Sequence, residues 1–262
     1  MAKACQLFSG STGNSILISS KGHNFLVDIG VSAKRCEQAL LEIGVEPDSI
    51  DAVFVTHEHG DHSAGLRVFC TRHKTPVFAP ELCLEAMLES GLITDAVHFE
   101  KLEYSLELCG IEVNAFKQSH DSEDCAGYRF NLSDGRSISV CTDTGYVTEN
   151  AKEVLAGTDM IFLESNHEIA MVELGPYPYH LKRRILGTRG HLSNFACAEF
   201  IKELSQSGTT RFVLSHLSRE NNTPEIARQT ALAALVELGL NEGSDFRLFV
   251  SPPQNESRGI VL

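Results

Sequence analysis

The chain has 262 residues, with 22 Lys and Arg against 35 Asp and Glu, a formal charge of −13, and an ordinary make-up of 42% hydrophobic and 22% charged residues with 20 Gly and 8 Pro. Such a length buries a core without staples, and the composition excludes a collagen-like, fibrous or disordered chain. A surface this acidic argues against sequence-blind coating of DNA, which feeds on Lys and Arg, and no apolar run is long enough to span a bilayer.

The N-terminus, MAKACQLFSGSTGNS, carries no apolar core behind a basic start, so no secretory signal is expected. The eight cysteines, at 5, 36, 70, 83, 109, 125, 141 and 197, form no CxxC pair. They read as reduced, buried thiols, and the expected location is the cytoplasm.

Short strands are predicted over 4–9, 15–19 and 24–28, separated by Gly-rich turns. Ala33, Cys36, Ala39, Leu40 and Ile43 share one helical face, which predicts a helix over 32–43 closed by Gly44. The apolar run over 52–56 predicts a strand buried on both faces. Helices are predicted over 63–73 and 81–90, then strands over 103–108, 111–117, 126–132 and 136–142, the last two joined by Ser133-Asp134-Gly135. Strands over 159–163 and 211–215 bracket an amphipathic helix over 194–204. Thr223-Pro224-Glu225 then opens a helix running to 238. No linker or repeat interrupts this order. The expected architecture is α/β, two packed sheets with helices outside, in a single domain over 1–262.

The informative segment is His57-Glu58-His59-Gly60-Asp61-His62, directly after the 52–56 strand. It is not the helical HExxH motif, because Asp61 stands where the second His would be. His57 and His59, two apart, suit one metal, while Asp61 and His62 suit a neighbouring one. Four more groups follow apolar strands: His120 after 111–117, Asp143 after 136–142, Glu164 after 159–163 and His216 after 211–215. An α/β sheet usually places its site at such strand ends.

HEHGDH matches the HxHxDH signature of the metallo-β-lactamase superfamily, and His120, Asp143 and His216 follow in that family's order. The resemblance spans nearly the whole chain and implies a four-layer αββα sandwich with the site along one edge. It further implies that His57, His59 and His120 bind one metal, that Asp61, His62 and His216 bind the other, and that Asp143 bridges both. Two divalent or transition ions follow, and Zn²⁺, Mn²⁺ and Fe all fit. Two such cations about 3.5–4 Å apart hold a hydroxide between them, so hydrolysis is expected. His59, in place of an acidic residue, argues against the oxygen-reducing diiron branch, and Asp61 in place of Cys argues against a lactam substrate.

Residues 174–198 contain no Asp or Glu but carry His180, Lys182, Arg183, Arg184, Arg189 and His191. Arg forks grip phosphate, and the helix start at Ser193-Asn194 adds donors. Lys182, Arg184, Arg189, Ser193, Asn194 and Arg219 are therefore expected to form a phosphate rim. The GHLS run at 190–193 and SHLSR at 215–219 resemble the nuclease branch, ribonuclease Z in particular. There a His corresponding to His191, paired with a Glu corresponding to Glu164, contacts the scissile phosphate or protonates the leaving group. FSGSTGNS (8–15), TDTG (142–145), LESNHE (163–168) and LSHLSRENN (214–222) look more closely like the stand-alone YycJ/WalJ group of bacterial enzymes.

That resemblance implies a 5′-end DNA exonuclease, DNA being favoured over RNA as substrate. The implied roles are Asp61 orienting the hydroxide and His191, held by Glu164, assisting the leaving oxygen. A thioester or lactone hydrolase of glyoxalase II type uses the same seven ligands and would not need the 182–189 cations. An RNA-directed nuclease of the same fold is the other alternative.

Overall fold

Alternation of short apolar runs with turn residues builds two seven-stranded sheets. The computed structural model describes residues 2–102, 104–255 and 259–262. The first half contains β1 (Lys3–Phe8), β2 (Ser15–Ser20), β3 (His23–Val27), α1 (Ala33–Glu42), β4 (Ile50–Phe54), α2 (Gly60–Ser63), α3 (Leu66–His73), β5 (Val77–Ala79), α4 (Glu81–Glu89), β6 (Phe99–Lys101), β7 (Ser105–Leu108), β8 (Ile111–Lys117) and β9 (Ala126–Asn131). There follow β10 (Ser137–Cys141), α5 (Glu149–Leu155), β11 (Met160–Glu164), α6 (Ile169–Leu174), α7 (Tyr179–Ile185), α8 (Asn194–Gln206), β12 (Arg211–Ser215), α9 (Pro224–Glu237), β13 (Arg247–Val250) and β14 (Ile260–Val261).

The first sheet has the order β14-β1-β2-β3-β4-β5-β6 and the second β13-β12-β11-β10-β9-β8-β7. In each, antiparallel hairpins give way to a parallel run: β3-β4-β5-β6 in one, β10-β11-β12-β13 in the other. One apolar layer packs α1, α3 and α4 on the first sheet, a second lies between the sheets, and a third packs α5, α8 and α9 on the second sheet. The layering is therefore αββα. The middle layer is centred on Phe54, whose ring meets Phe130 edge-on at 5.2 Å and Phe78 face-on at 5.4 Å.

Helix starts follow their caps. Ser193 accepts the Ala196 N–H and Thr223 accepts the Ile226 N–H, with Pro224 in the first turn. No disulfide joins any of the eight cysteines, and seven of them are buried. Among the described residues no helix is long and apolar enough to cross a membrane.

Several bounds differ from expectation for physical reasons. The 52–56 strand ends at Phe54, because Thr56 donates its N–H to the Asp28 carboxylate rather than to a strand. The 63–73 helix divides into α2 and α3 at Gly65, where a Cβ would lie 2.2 Å from the Val31 carbonyl oxygen. Strands β5 and β6, three residues each, are too short to show a period. The strand expected over 103–108 is seen from Ser105, and Glu103 lies outside the described residues.

Candidate metal centre

Loops leaving β4, β8, β10, β11 and β12 bring their polar residues to one cluster. His57, His59 and His120 offer donor atoms within 4.8 Å of one another, as do Asp61, His62 and His216. Asp143 joins His57 and His62 in one such group, and Glu164, His191 and His216 in another. It therefore stands between the two histidine sets, and the structure assembles all seven expected ligands.

The loops are bent to achieve this. Asp28, Asp143 and His216, at or just past strand ends, have left-handed backbone with φ of 64°, 61° and 56°. Each costs of order 1 kcal/mol or more, strain that concentrates where a side chain must be aimed. Gly30 lets its strand end pack on the ligand loop, since a Cβ there would lie 1.6 Å from the Asp61 carbonyl oxygen. Asn14, from the Gly-rich N-terminal turn, donates its N–H to that same carbonyl and brings its amide to 3.0 Å from His62 Nε2.

A hydrogen-bond relay sets the histidine tautomers. His57 Nδ1 lies 3.0 Å from Thr56 Oγ1, which donates to Asp28 Oδ2, and His62 Nδ1 lies 2.7 Å from the same carboxylate. His120 Nδ1 donates to the Gly190 carbonyl at 3.0 Å, and His216 Nδ1 to Glu164 at 2.9 Å. With Nδ1 occupied in all four rings, Nε2 is left to serve as ligand. Asp143 Oδ2 and His216 Nε2 are buried and make no hydrogen bond, their nearest partners being His62 Nε2 at 3.3 Å and Asp61 Oδ2 at 3.8 Å. Orphaned buried groups of this kind are costly. A cation among these donors removes that cost, and hard carboxylates with imidazoles suit divalent ions. The residues fit the metals that the chain's pattern implies.

Electrostatics reinforce this. Burial and the neighbouring rings push His57 well below the usual imidazole range. Burial also opposes protonation of His62, but Asp143, Asp28 and Asp61 outweigh it and raise His62 to about 9. In the metal-free protein His62 therefore carries a second proton at neutral pH, which an entering cation must displace. Metal affinity is expected to rise with pH, up to about tenfold per unit toward pH 9, with protons released on binding. Calorimetry of Mn²⁺ or Zn²⁺ binding in buffers of differing ionisation enthalpy checks this. An affinity flat between pH 6 and 9 contradicts it.

His191 stands at the edge of the cluster, 16% exposed, with Nδ1 2.8 Å from Glu164 Oε1. Glu164 is fully buried and accepts from four donors: His191 Nδ1, His216 Nδ1 and the N–H groups of Thr144 and Leu192. Burial alone would raise its pKa, but His191 and His216 hold it well below the usual carboxylate range. Asp61 is held low in the same way, by His216 and His62 against burial. Both acids are ionised. The cluster opens into a cleft of about 310 Å³ whose walls include His59, Asp61, Asp143, His191, Tyr177 and Arg184.

Residues 23–217 match a family model described as the beta-lactamase superfamily domain. The chain belongs to the beta-lactamase superfamily. It is 34% identical to the exodeoxyribonuclease WalJ of Streptococcus pneumoniae serotype 2 over 251 residues, covering 94% of this chain and 93% of that protein. It is equally close, over 250 residues, to the exodeoxyribonuclease YycJ of Bacillus anthracis, covering 95% and 94%. The metallo-beta-lactamase fold protein YhfI of Bacillus subtilis superposes with a TM-score of 0.71 at 14% identity, over 97% of this chain and 98% of that one, and so shares the fold. Membership of the beta-lactamase superfamily and the donor cluster together make this chain a metal-dependent hydrolase.

The expected phosphate rim is only partly present in this beta-lactamase superfamily chain. Of its six residues, Arg184 lines the cleft, with its guanidinium paired to Asp121. Asn194 is 1% exposed and its side chain is bound to Ser165 and Asn222, so it does not reach the site. Ser193 is used as the α8 cap. Arg189 donates to the carbonyls of His120 and Ser122 and thereby braces a ligand loop. Lys182 donates to the Glu173 carbonyl, and Arg219 to Thr12.

His167 is buried, and that burial pushes it down to about 4. Arg72 and His73 pair with Glu37 on α1. Asp28, Thr56 and Asn14 are the functional residues that sequence reasoning missed. Asp28 follows an apolar strand, the same signal that marked Asp143 and His216.

Proposed function

We propose that this chain is a phosphodiesterase that trims DNA from a 5′ end, with two ions of Zn²⁺, Mn²⁺ or Fe held by His57, His59 and His120 on one side and Asp61, His62 and His216 on the other. Asp143 would be shared between them. When bound, such ions supply a nucleophile at neutral pH and neutralise charge developing on phosphate oxygens.

The observation that carries the reading is His191. It lies beside the cluster, and its Nδ1 donates a hydrogen bond to the buried, ionised Glu164, which orients the ring. That arrangement suits delivery of a proton from Nε2 to a departing alkoxide. Asp61, ionised and partly exposed at the cleft, orients the attacking water. Arg184 on the cleft wall pairs with a substrate phosphate by exchanging its Asp121 partner. The names of the WalJ and YycJ relatives support DNA as the polymer. The cytoplasm is the proposed location, supported by eight cysteines that form no disulfide.

The test is a panel of end-labelled DNA and RNA, single- and double-stranded, with 5′-phosphate or 5′-hydroxyl, alongside thioester and lactone substrates. The expected result is cleavage of DNA from the 5′ end, with His191→Ala lowering kcat by about 10²–10⁴. Turnover of thioesters undiminished by His191→Ala, with all nucleic acids left intact, would sink the reading. Cleavage of RNA in preference to DNA would transfer it to an RNA substrate.

A further inference from the structure

Beyond the cleft, the molecule presents an apolar and cationic surface that the reaction described above does not use. Helix α7 buries none of its side chains. Tyr179 at its start is 76% exposed, and Leu174 at the end of α6 is 88% exposed. Together with Tyr177, Lys182, Arg183 and Leu186, Tyr179 lines a recess of about 520 Å³. The Arg183 guanidinium carbon lies 5.9 Å from the Tyr179 ring centroid.

Two observations tie this recess to the reacting site. Tyr177 lines both the recess and the cleft that holds His191 and Asp143, so the two hollows share a wall. Among the described residues the only acid lining the recess is Glu173, and from Leu174 to Ala198 the chain has no Asp or Glu, within a protein of net charge −13. A cationic stretch with exposed aromatic rings suits a strand that carries phosphates and flat bases. Stacking on aromatic rings is available to every base, and Arg contributes through its planar face. A base can reach such a ring only when it is unpaired.

The geometry points to α6 and α7 as a stacking track for unpaired bases, in which Tyr177 and Tyr179 receive nucleotides of the strand cut at the metal centre while Lys182 and Arg183 hold its phosphates. The preferred substrate is then an end bearing several unpaired nucleotides rather than a blunt duplex. This inference rests on the nuclease reading and names its substrate class. Stacking at one exposed ring belongs to the low end of measured base–aromatic energies, which sets the expected effect at about five- to tenfold in KM.

The experiment compares the metal-loaded wild type with Tyr179→Ala, Tyr179→Phe and Tyr104→Ala on two DNA duplexes, one blunt and one with a single-stranded 5′ extension. Tyr104 is 79% exposed but lies outside the recess. Expected are a lower wild-type KM for the extended duplex, a rise of about five- to tenfold in that KM for Tyr179→Ala with kcat held, and its recovery in Tyr179→Phe. Tyr104→Ala should match wild type. If wild type cuts DNA but Tyr179→Ala leaves the KM ratio of the two duplexes unchanged, or Tyr179→Phe fails to restore it, the track is overturned and the nuclease reading stands. If wild type cuts neither duplex while hydrolysing another ester, both are overturned.

Discussion

Glu164→Gln is expected to lower kcat by about 10²–10⁴ and to destabilise the fold by about 3–5 kcal/mol. The carboxylate is fully buried and accepts four hydrogen bonds, two on each oxygen. Glutamine keeps the shape but turns one of those oxygens into an NH₂ group. Either the backbone donors of Thr144 and Leu192 or the rings of His191 and His216 then face another donor, and the negative charge opposite both rings is gone. Breaking one half of a buried, hydrogen-bonded pair costs far more than removing an exposed one.

The sign with pH follows from the lowered pKa. The stabilisation is fully present above the ordinary carboxylate value of 4.5 and is lost as pH falls below it. Thermal melts of wild type and Glu164→Gln at pH 7, paired with single-turnover cleavage, measure both effects. A variant that melts with wild type and retains its rate contradicts the role given to Glu164.

The second large effect is at Asp28. Its carboxylate receives Thr56 N–H at 2.8 Å, Thr56 Oγ1 at 2.9 Å and His62 Nδ1 at 2.7 Å. Asn tolerates the left-handed backbone that this position requires, so Asp28→Asn should fold. An amide NH₂ facing His62, however, favours the tautomer with the proton on Nε2, the nitrogen needed as ligand. Metal affinity is expected to fall about 10–100-fold, the usual effect of removing a partner that orients a ligand. Activity should return at high metal concentration. Asp28→Ala adds backbone strain and leaves three donors without this acceptor, so it should also lose stability. Metal titration followed by activity at saturation separates the two variants. Equal metal affinity in wild type and Asp28→Asn would show that the Asp28 carboxylate does not set the His62 tautomer.

Much of the site is legible because its chemistry needs dense ligands on a short loop. His57, His59, Asp61 and His62 within six residues have few other uses, and strand ends carrying His120, Asp143 and His216 complete the set. Asp28 escaped notice because one acid after a strand resembles any turn residue until the fold lays it against His62. The cations show the opposite case. Their clustering along 182–189 is visible in sequence, but the partners that occupy them are distant: Asp121 lies 63 residues from Arg184, and Arg189 is held by carbonyls 67 and 69 residues away. Asn194 was misread for a related reason. Its position at a helix start suggests a donor to solvent, whereas packing of β11 and α9 behind α8 encloses it with Ser165 and Asn222. Helix α7 left no amphipathic trace because it buries none of its side chains.

The net charge of −13 reads differently with the site in view. Acidic residues dominate the chain as a whole, yet 174–198 has none, and Arg184 reaches the cleft wall from that stretch. A local grip on one strand end is compatible with an outer surface that repels the rest of the polymer.

The most direct test is to strip the protein with a chelator, supply Mn²⁺ or Zn²⁺ in increasing amounts, and follow release of nucleotides from 5′-labelled DNA against bound metal. The stripped protein should leave the DNA intact, and cleavage should appear as two ions bind per chain, with Asp143→Ala failing to recover it at any metal concentration. Cleavage by the stripped protein, or a fully loaded protein that leaves every DNA end untouched, would contradict a dinuclear phosphodiesterase.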